Sequence, residues 1–218
     1  SLTPQQQQMA MIKYGLLPDG TTLSQVLSEP VYVKAQQYLT QQGSSIEQFA
    51  QFKPWMLGLS MVQLAYSQLG LTSENGTDKQ IALYAKELNK KIIGLETFEQ
   101  QMQFFDQIFE VDKSITPDDL ILDTLNELIH HKELPNIMVE AWLQADMLAF
   151  EQVYRQTLTD NKFDTTAEKI LLTNRNQSWS QTLAPMIKEK KILVAVGSLH
   201  FAGKQALQTL LTDFEQVR

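Results

Sequence analysis

The sequence predicts an α/β fold that is predominantly helical, with a small, mainly parallel sheet and a large helical cap insertion. Most of the chain places apolar side chains at helical spacing. Two apolar runs, residues 91–95 and 191–196, each begin at a lysine pair and lead into another helix. This alternation of helix and apolar run is typical of parallel strands joined by helical crossovers.

The remaining elements are expected to be helices, because glycine and proline residues separate stretches of helical periodicity. The first are predicted over residues 22–27, 31–39, 46–52, 54–69 and 78–89. Further helices form the cap, predicted over about residues 98–190, and its first helix begins at a capping box of Thr97 and Gln100. Another cap helix follows Thr116-Pro117. Residues 214–217 are predicted as a closing strand that pairs in the sheet.

Composition limits the classes of function. The formal net charge is −7 and the pI is about 5.0, so a nucleic-acid partner is not expected. The absence of cysteine excludes disulfides, thiolate nucleophiles and cysteine metal ligands. No apolar run approaches the roughly 18 residues of a membrane span. We expect one domain, and because the chain begins at Ser1, we expect a signal peptide or a longer segment upstream.

His200 is the strongest candidate for chemistry. It follows the second apolar run through Gly197, at the edge where an open α/β sheet usually binds its ligands. An imidazole there can bind a metal or move a proton near neutral pH. The alternative is a structural histidine that hydrogen-bonds the next helix. His130 and His131 are adjacent on a helix, where neighbouring side chains point about 100° apart, so they are poor partners for one metal.

Three other polar residues are candidates for the same cleft. Glu96 follows the first apolar run, so parallel strands would place it at the same sheet edge as His200. It is predicted as a ligand or general base; alternatively, it only stabilises the N-terminus of the next helix. Arg175 and Asn176 precede Trp179 by about one helical turn, and a guanidinium can hold a carboxylate or oxyanion through two hydrogen bonds. The alternative for Arg175 is a surface ion pair.

Three stretches carry a resemblance to a known family. The first contains Asn75-Gly76-Thr77-Asp78 and residues 94–101, Gly-Leu-Glu-Thr-Phe-Glu-Gln-Gln. The second is residues 175–179, Arg-Asn-Gln-Ser-Trp, and the third is residues 197–200, Gly-Ser-Leu-His. In this order and spacing the chain resembles, over residues 54–218, the TraB/GumN family, whose wider relatives include the Tiki-type metalloproteases.

The resemblance implies that the full-length protein is a metal-dependent hydrolase acting on peptides or proteins, with a divalent metal such as Zn, Mn or Co. By the same resemblance, His200 is a metal ligand, and Glu96, Arg175 and Asn176 are catalytic residues. Bacterial members of the family often carry a signal peptide, which implies a periplasmic or secreted location.

One part of the family pattern is missing from this sequence. The family opens with a first Gly-x-x-His segment, and nothing in these residues supplies it. We therefore expect an N-terminally truncated domain that binds no metal tightly and has no hydrolytic activity. The rival hypothesis is a non-enzymatic regulatory protein that binds a peptide or a partner. The sequence predicts no particular oligomeric state.

Overall fold

The structure is a computed structural model that describes residues 4–72, 76–158 and 161–211. Its α-helices are α1 (Pro4–Gly15), α2 (Leu23–Val26), α3 (Glu29–Gln41), α4 (Pro54–Gln68), α5 (Thr77–Glu87), α6 (Phe98–Val111), α7 (Pro117–His130), α8 (Leu134–Leu143), α9 (Met147–Thr157), α10 (Lys162–Glu168), α11 (Asn174–Glu189) and α12 (Leu207–Leu210). Short 3₁₀ turns lie at Ile46–Phe49 and Ser198–Phe201, and a π-helical turn, Lys169–Thr173, joins α10 to α11.

The chain divides into two compact units. The first unit contains residues 1–72 and 96–132, and the second contains residues 73–95 and 133–218. Helices α1 to α4, α6 and α7 therefore belong to the first unit, and α5 and α8 to α12 belong to the second. The predicted cap contributes residues to both units. The single domain and its cap stay predictions.

Local capping starts two of the helices where the sequence predicts them. The Thr97 side chain accepts from the Gln100 N–H at 3.1 Å, and Gln100 Oε1 accepts from the Thr97 N–H at 2.8 Å. Thr116 and Asp119 form the same reciprocal pair before α7. Such boxes satisfy N–H groups that the first helical turn leaves unpaired. The predicted starts of α6 and α7 are confirmed.

The core of the first unit lies where α4 packs against α7. Leu57 and Met61 of α4 are fully buried. Gly58 permits the close approach, because a Cβ at this position would lie only 3.1 Å from Leu120 Cδ2 and 3.3 Å from Thr124 Oγ1. A larger side chain would push the two helices apart.

A polar contact joins the start of α4 to α6. Asp106 accepts hydrogen bonds from Lys53 Nζ at 2.6 Å and from Trp55 Nε1 at 3.0 Å. The buried Trp55 ring stacks on Phe105, with 5.0 Å between the ring centroids. Asp106 thus satisfies the indole N–H at the edge of an apolar contact.

The second unit has its own core. Helices α8 and α9 pack together as a hairpin, and α11 packs against α12. We call Trp179, Leu183, Leu207 and Leu211 the apolar cluster, since these buried side chains pack together. The side chains packed around it are Leu95, Ile192, Val194 and Val196.

The predicted parallel sheet is wrong. Residues 91–95 and 191–196 are irregular, and the described part of the chain contains no strand, only an isolated bridge between Leu16 and Phe52. A strand requires a hydrogen-bonded neighbour. Among the described residues the two apolar runs have no such neighbour. Leu95 of the first run, and Ile192, Val194 and Val196 of the second, pack against the apolar cluster. The fold is therefore mainly helical.

Two further expectations depended on that sheet. The predicted closing strand, residues 214–217, lies outside the described residues. The described residues contain no sheet edge that would bring Glu96 towards His200, so that predicted placement depends on the family resemblance alone.

None of the described helices combines the length and the apolar character that crossing a membrane requires.

Candidate functional site

His200 lies in the 3₁₀ turn Ser198–Phe201, directly after the irregular run of residues 191–197. The His200 N–H donates to the Gly197 carbonyl at 3.0 Å and closes the turn. The residue is only 5% exposed. The Gly-x-x-His motif therefore folds into a compact turn that buries its imidazole in the second unit.

Asn176 of α11 fixes the His200 ring. Its Nδ2 donates to the carbonyl oxygens of His200 at 3.1 Å and Gln205 at 2.8 Å. These two acceptors identify the amide nitrogen, so the Asn176 oxygen faces His200 Nδ1 at 2.7 Å. An amide oxygen only accepts hydrogen bonds. Nδ1 therefore carries the ring proton, and Nε2, which bonds no described residue, keeps its lone pair.

The protonation of His200 follows from its surroundings. Burial, and after it the positive charge of Arg175, lowers the pKa of His200 from 6.5 to about 4. The ring is therefore neutral at pH 7. A general base works best with a pKa near the operating pH, whereas metal ligation uses the neutral imidazole. Geometry and pKa together favour ligation through Nε2 over proton abstraction.

Trp179 contacts both neighbouring candidate residues. Its ring centroid lies 4.4 Å from that of His200, and the Arg175 guanidinium carbon lies 4.8 Å from the indole centroid. Arg175 Nη1 also donates to the Leu171 carbonyl at 2.8 Å. Arg175, Asn176 and His200 thus come together in the second unit. Their roles in catalysis and metal binding stay predictions.

The π-helical turn Lys169–Thr173 precedes these residues directly. The Asn174 N–H donates to the Lys169 carbonyl, the five-residue spacing that defines such a turn. The Leu171 carbonyl that Arg175 binds belongs to the same turn. π-turns are rare and often occur at functional sites. Nothing in the sequence predicts this one.

Side chains of α9 and α10 hold the loop that follows His200. Glu151 accepts the Gly203 N–H at 2.8 Å, and this bond is the main cause that lowers the pKa of Glu151. A Cβ on Gly203, whose φ is +79°, would lie 2.6 Å from the Tyr154 hydroxyl oxygen. That hydroxyl donates to the Glu168 carboxylate. Burial first, and then this bond, raises the pKa of Tyr154.

Sequence reasoning missed Glu151, Tyr154 and Gly203. Glu151 and Gly203 are 52 positions apart, and no local motif links them. The one available signal for a tight turn after the motif histidine was the glycine three residues later, because a backbone with positive φ favours glycine.

Glu96 belongs to the first unit, where Gln101 Nε2 donates to its Oε1 at 2.9 Å. Its place beside His200 stays a prediction. His130 and His131 also belong to the first unit, at the end of α7. Within the described ranges, no group of three or more His, Cys, Asp or Glu side chains could hold a metal ion.

Comparison with known proteins agrees with the sequence motifs. The uncharacterized protein YbaP of Escherichia coli strain K12 is 28% identical over 195 residues, which cover 89% of this chain and 70% of YbaP. YbaP of Shigella flexneri matches with the same identity and coverage. No solved structure matches the chain significantly. The sequence profile of the TraB/PrgY/gumN family matches residues 1–214. Because that match spans nearly the whole chain, the protein belongs to the TraB/PrgY/gumN family.

Proposed function

We propose that the full-length protein is a metal-dependent hydrolase acting on peptides, in which His200 supplies one metal ligand through Nε2. The observation that carries the proposal is the contact of 2.7 Å between His200 Nδ1 and Asn176 Oδ1. Metal-binding histidines almost always donate their other ring N–H to a fixed partner, which sets the tautomer. The same arrangement in this protein leaves Nε2 unprotonated and the ring neutral.

The described residues place one imidazole, that of His200, at this site, and they do not form a complete metal centre. A catalytic zinc-type site uses three protein ligands and an open position, and the described side chains form no such group. We propose that further ligands come from a segment upstream of Ser1, and that Glu96 is a ligand or a general base. A metal bound there would polarise a carbonyl oxygen and activate a water molecule.

Arg175 and Asn176 take different roles in this proposal. The Asn176 amide already binds the His200 ring and two carbonyl oxygens, so it positions the imidazole. The guanidinium of Arg175 is the group suited to a carboxylate or an oxyanion, because it offers paired donors and keeps its charge. Its stacking on Trp179 restricts its orientation.

A non-enzymatic partner-binding protein is the second candidate. The tip between α8 and α9 favours it, since Trp142, Leu143 and Leu148 are 53%, 63% and 76% exposed. Apolar side chains exposed together often mark protein contacts. Such a protein would not need an unprotonated Nε2 at His200, so replacing this residue separates the two candidates.

Calorimetric titration with Zn²⁺ and Mn²⁺ tests the hydrolase proposal. The 218-residue chain and the protein extended upstream of Ser1 are each compared as wild type, His200→Ala and His130→Ala. We expect tight metal binding only in the extended protein. That binding, and hydrolysis of a quenched fluorogenic peptide library, should be lost in His200→Ala and kept in His130→Ala.

Two results would contradict this expectation. Metal binding by the extended protein that survives His200→Ala would remove His200 from the centre. An extended protein that cleaves no peptide, with or without metal, would favour the partner-binding candidate.

A further inference from the structure

The loop after His200 is held from two sides within the second unit. Asn176 of α11 donates from Nδ2 to the carbonyl oxygens of His200 at 3.1 Å and Gln205 at 2.8 Å. Glu151 of α9 accepts the Gly203 N–H through Oε2 at 2.8 Å. Gly203 lies between His200 and Gln205 in the chain. A displacement of Gly203 would therefore move both carbonyl groups that hold the Asn176 amide.

Tyr154 limits how far the loop can move towards α9. Its ring packs so closely on Gly203 that a Cβ there would lie 2.6 Å from the hydroxyl oxygen and 2.8 Å from Cζ. The hydroxyl donates to Glu168, the residue directly before the π-helical turn. Tyr154 is buried, so its ring has little room to move away. Glu151 prevents the opposite movement, because its hydrogen bond holds the Gly203 N–H at the helix.

Arg155 holds the Glu151 carboxylate in place. Its Nε and Nη2 each lie 3.0 Å from Oε1, whereas the Gly203 N–H donates to Oε2. Glu151 and Arg155 are four positions apart on α9, a spacing at which helical side chains meet. One carboxylate oxygen thus binds Arg155 and the other binds the loop. The side chain of Glu151 is 31% exposed, so conservative substitutions there should leave the fold intact.

We propose that Glu151 is a positioning residue for the His200 imidazole. By fixing Gly203, it keeps the carbonyl groups of the loop where the Asn176 amide can bind them. The amide is then held in one orientation, with its oxygen 2.7 Å from His200 Nδ1. Glu151 thereby helps to keep the ring proton on Nδ1 and the lone pair on Nε2. The alternative is that Glu151 stabilises the fold without any effect on the ring.

This inference deepens the proposed function and rests on it only in calling His200 a metal ligand. The position of the ring proton is measured without metal, and metal affinity is measured separately. An extended wild-type protein that binds no metal would count against the hydrolase. The position of the ring proton would still decide the role of Glu151.

Two matched variants separate the reach of the Glu151 side chain from its charge. Glu151→Gln removes the charge but keeps an oxygen that can accept the Gly203 N–H. Glu151→Asp keeps the charge but is one methylene shorter, so its carboxylate falls short of Gly203. Arg155→Ala removes the other partner of the carboxylate and is the control. Long-range ¹⁵N–¹H correlation spectra of the histidine-labelled 218-residue chain at constant neutral pH give the ratio of the Nδ1–H form of His200 to the Nε2–H form.

We expect this ratio to fall about tenfold in Glu151→Asp, as for the loss of one hydrogen bond. It should stay close to the wild-type ratio in Glu151→Gln and Arg155→Ala. Glu151→Ala also removes the acceptor and gives a second measurement of the same loss. In the extended protein, Glu151→Asp should weaken Zn²⁺ binding about tenfold, as the loss of support behind a metal ligand does.

Two results would overturn the proposal. A wild-type ratio in Glu151→Asp and Glu151→Ala would show that Glu151 has a structural role alone, even if thermal unfolding shows that both variants are less stable. A fall in Glu151→Gln as large as that in Glu151→Asp would show that the charge of Glu151, and not its hydrogen bond to the loop, acts on the ring.

Discussion

The titration of His200 is the most direct test of the site geometry. The structure predicts a ring that stays neutral down to about pH 4, with the proton on Nδ1. Long-range ¹⁵N–¹H correlation spectra of histidine-labelled protein report both properties, since they show which nitrogen carries the proton at each pH. The exposed His130 serves as an internal reference in the same spectra.

The same difference in pKa makes stability depend on pH. The unfolded chain takes up a proton at this residue near pH 6.5, and the folded chain only near pH 4. The stabilisation is therefore complete above about pH 6.5 and is lost as the pH falls towards 4. At about 1.4 kcal/mol for each pH unit the difference corresponds to about 3 kcal/mol, an upper limit because solvent screens part of the penalty.

Two variants separate the causes. Arg175→Gln should raise the pKa of His200 only part of the way to 6.5, because burial is the larger cause. Asn176→Ala removes the acceptor at Nδ1 and should allow the proton to move to Nε2. Urea unfolding of wild type and His200→Gln between pH 4 and 7 should show a steeper loss of stability in the wild type. A His200 pKa near 6.5 with the proton on Nε2 in the wild type would refute this reasoning.

Two predictions concern stability elsewhere. Gly203→Ala should lower the free energy of unfolding by about 2 kcal/mol, because of its positive φ and the clash with the Tyr154 ring. Gly20 has the same φ of +79° and nothing within 4 Å, so Gly20→Ala is the control. Equal losses of stability in thermal unfolding of the two variants would exclude the clash. Asp106→Ala should cost about 2 kcal/mol, because it removes the shared acceptor of a part-buried indole N–H and an ammonium. Asp106→Asn should lower the free energy of unfolding by less, because its amide oxygen can still accept a hydrogen bond. Equal losses of both variants in urea unfolding would contradict the hydrogen-bonding role of Asp106.

Features that depend on neighbouring residues could be predicted from the sequence. The box of Thr97 and Gln100 is complete within four consecutive residues, so it formed where its pattern occurs. The two apolar runs were wrongly predicted to be strands, because a strand does not depend on neighbouring residues alone. Apolar, β-branched residues indicate that a segment is covered, and Ile192, Val194 and Val196 do pack on the apolar cluster, although Leu193 is exposed. Strand formation also needs a partner elsewhere in the chain, which no local pattern reports.

The candidate site divides in the same way. The motifs identified Arg175, Asn176 and His200, and the structure brings them together. Two of the hydrogen bonds that Asn176 makes could not be predicted, because their acceptors are backbone carbonyls 24 and 29 positions away. Every residue type supplies a carbonyl, so no side-chain pattern could have indicated those bonds.

The π-turn at Lys169–Thr173 has a consequence for insertions and deletions. A π-turn holds one more residue than an α-turn, and such a turn acts as a single-residue insertion in a continuous helix. Deleting one residue there would restore regular hydrogen bonding, yet it would rotate α11 by about 100° relative to α10. Asn176 would then leave the His200 ring. The shortened helix would be more regular, but it would no longer hold the site together. We therefore expect the number of residues in the turn Lys169–Thr173 to matter more than their identity.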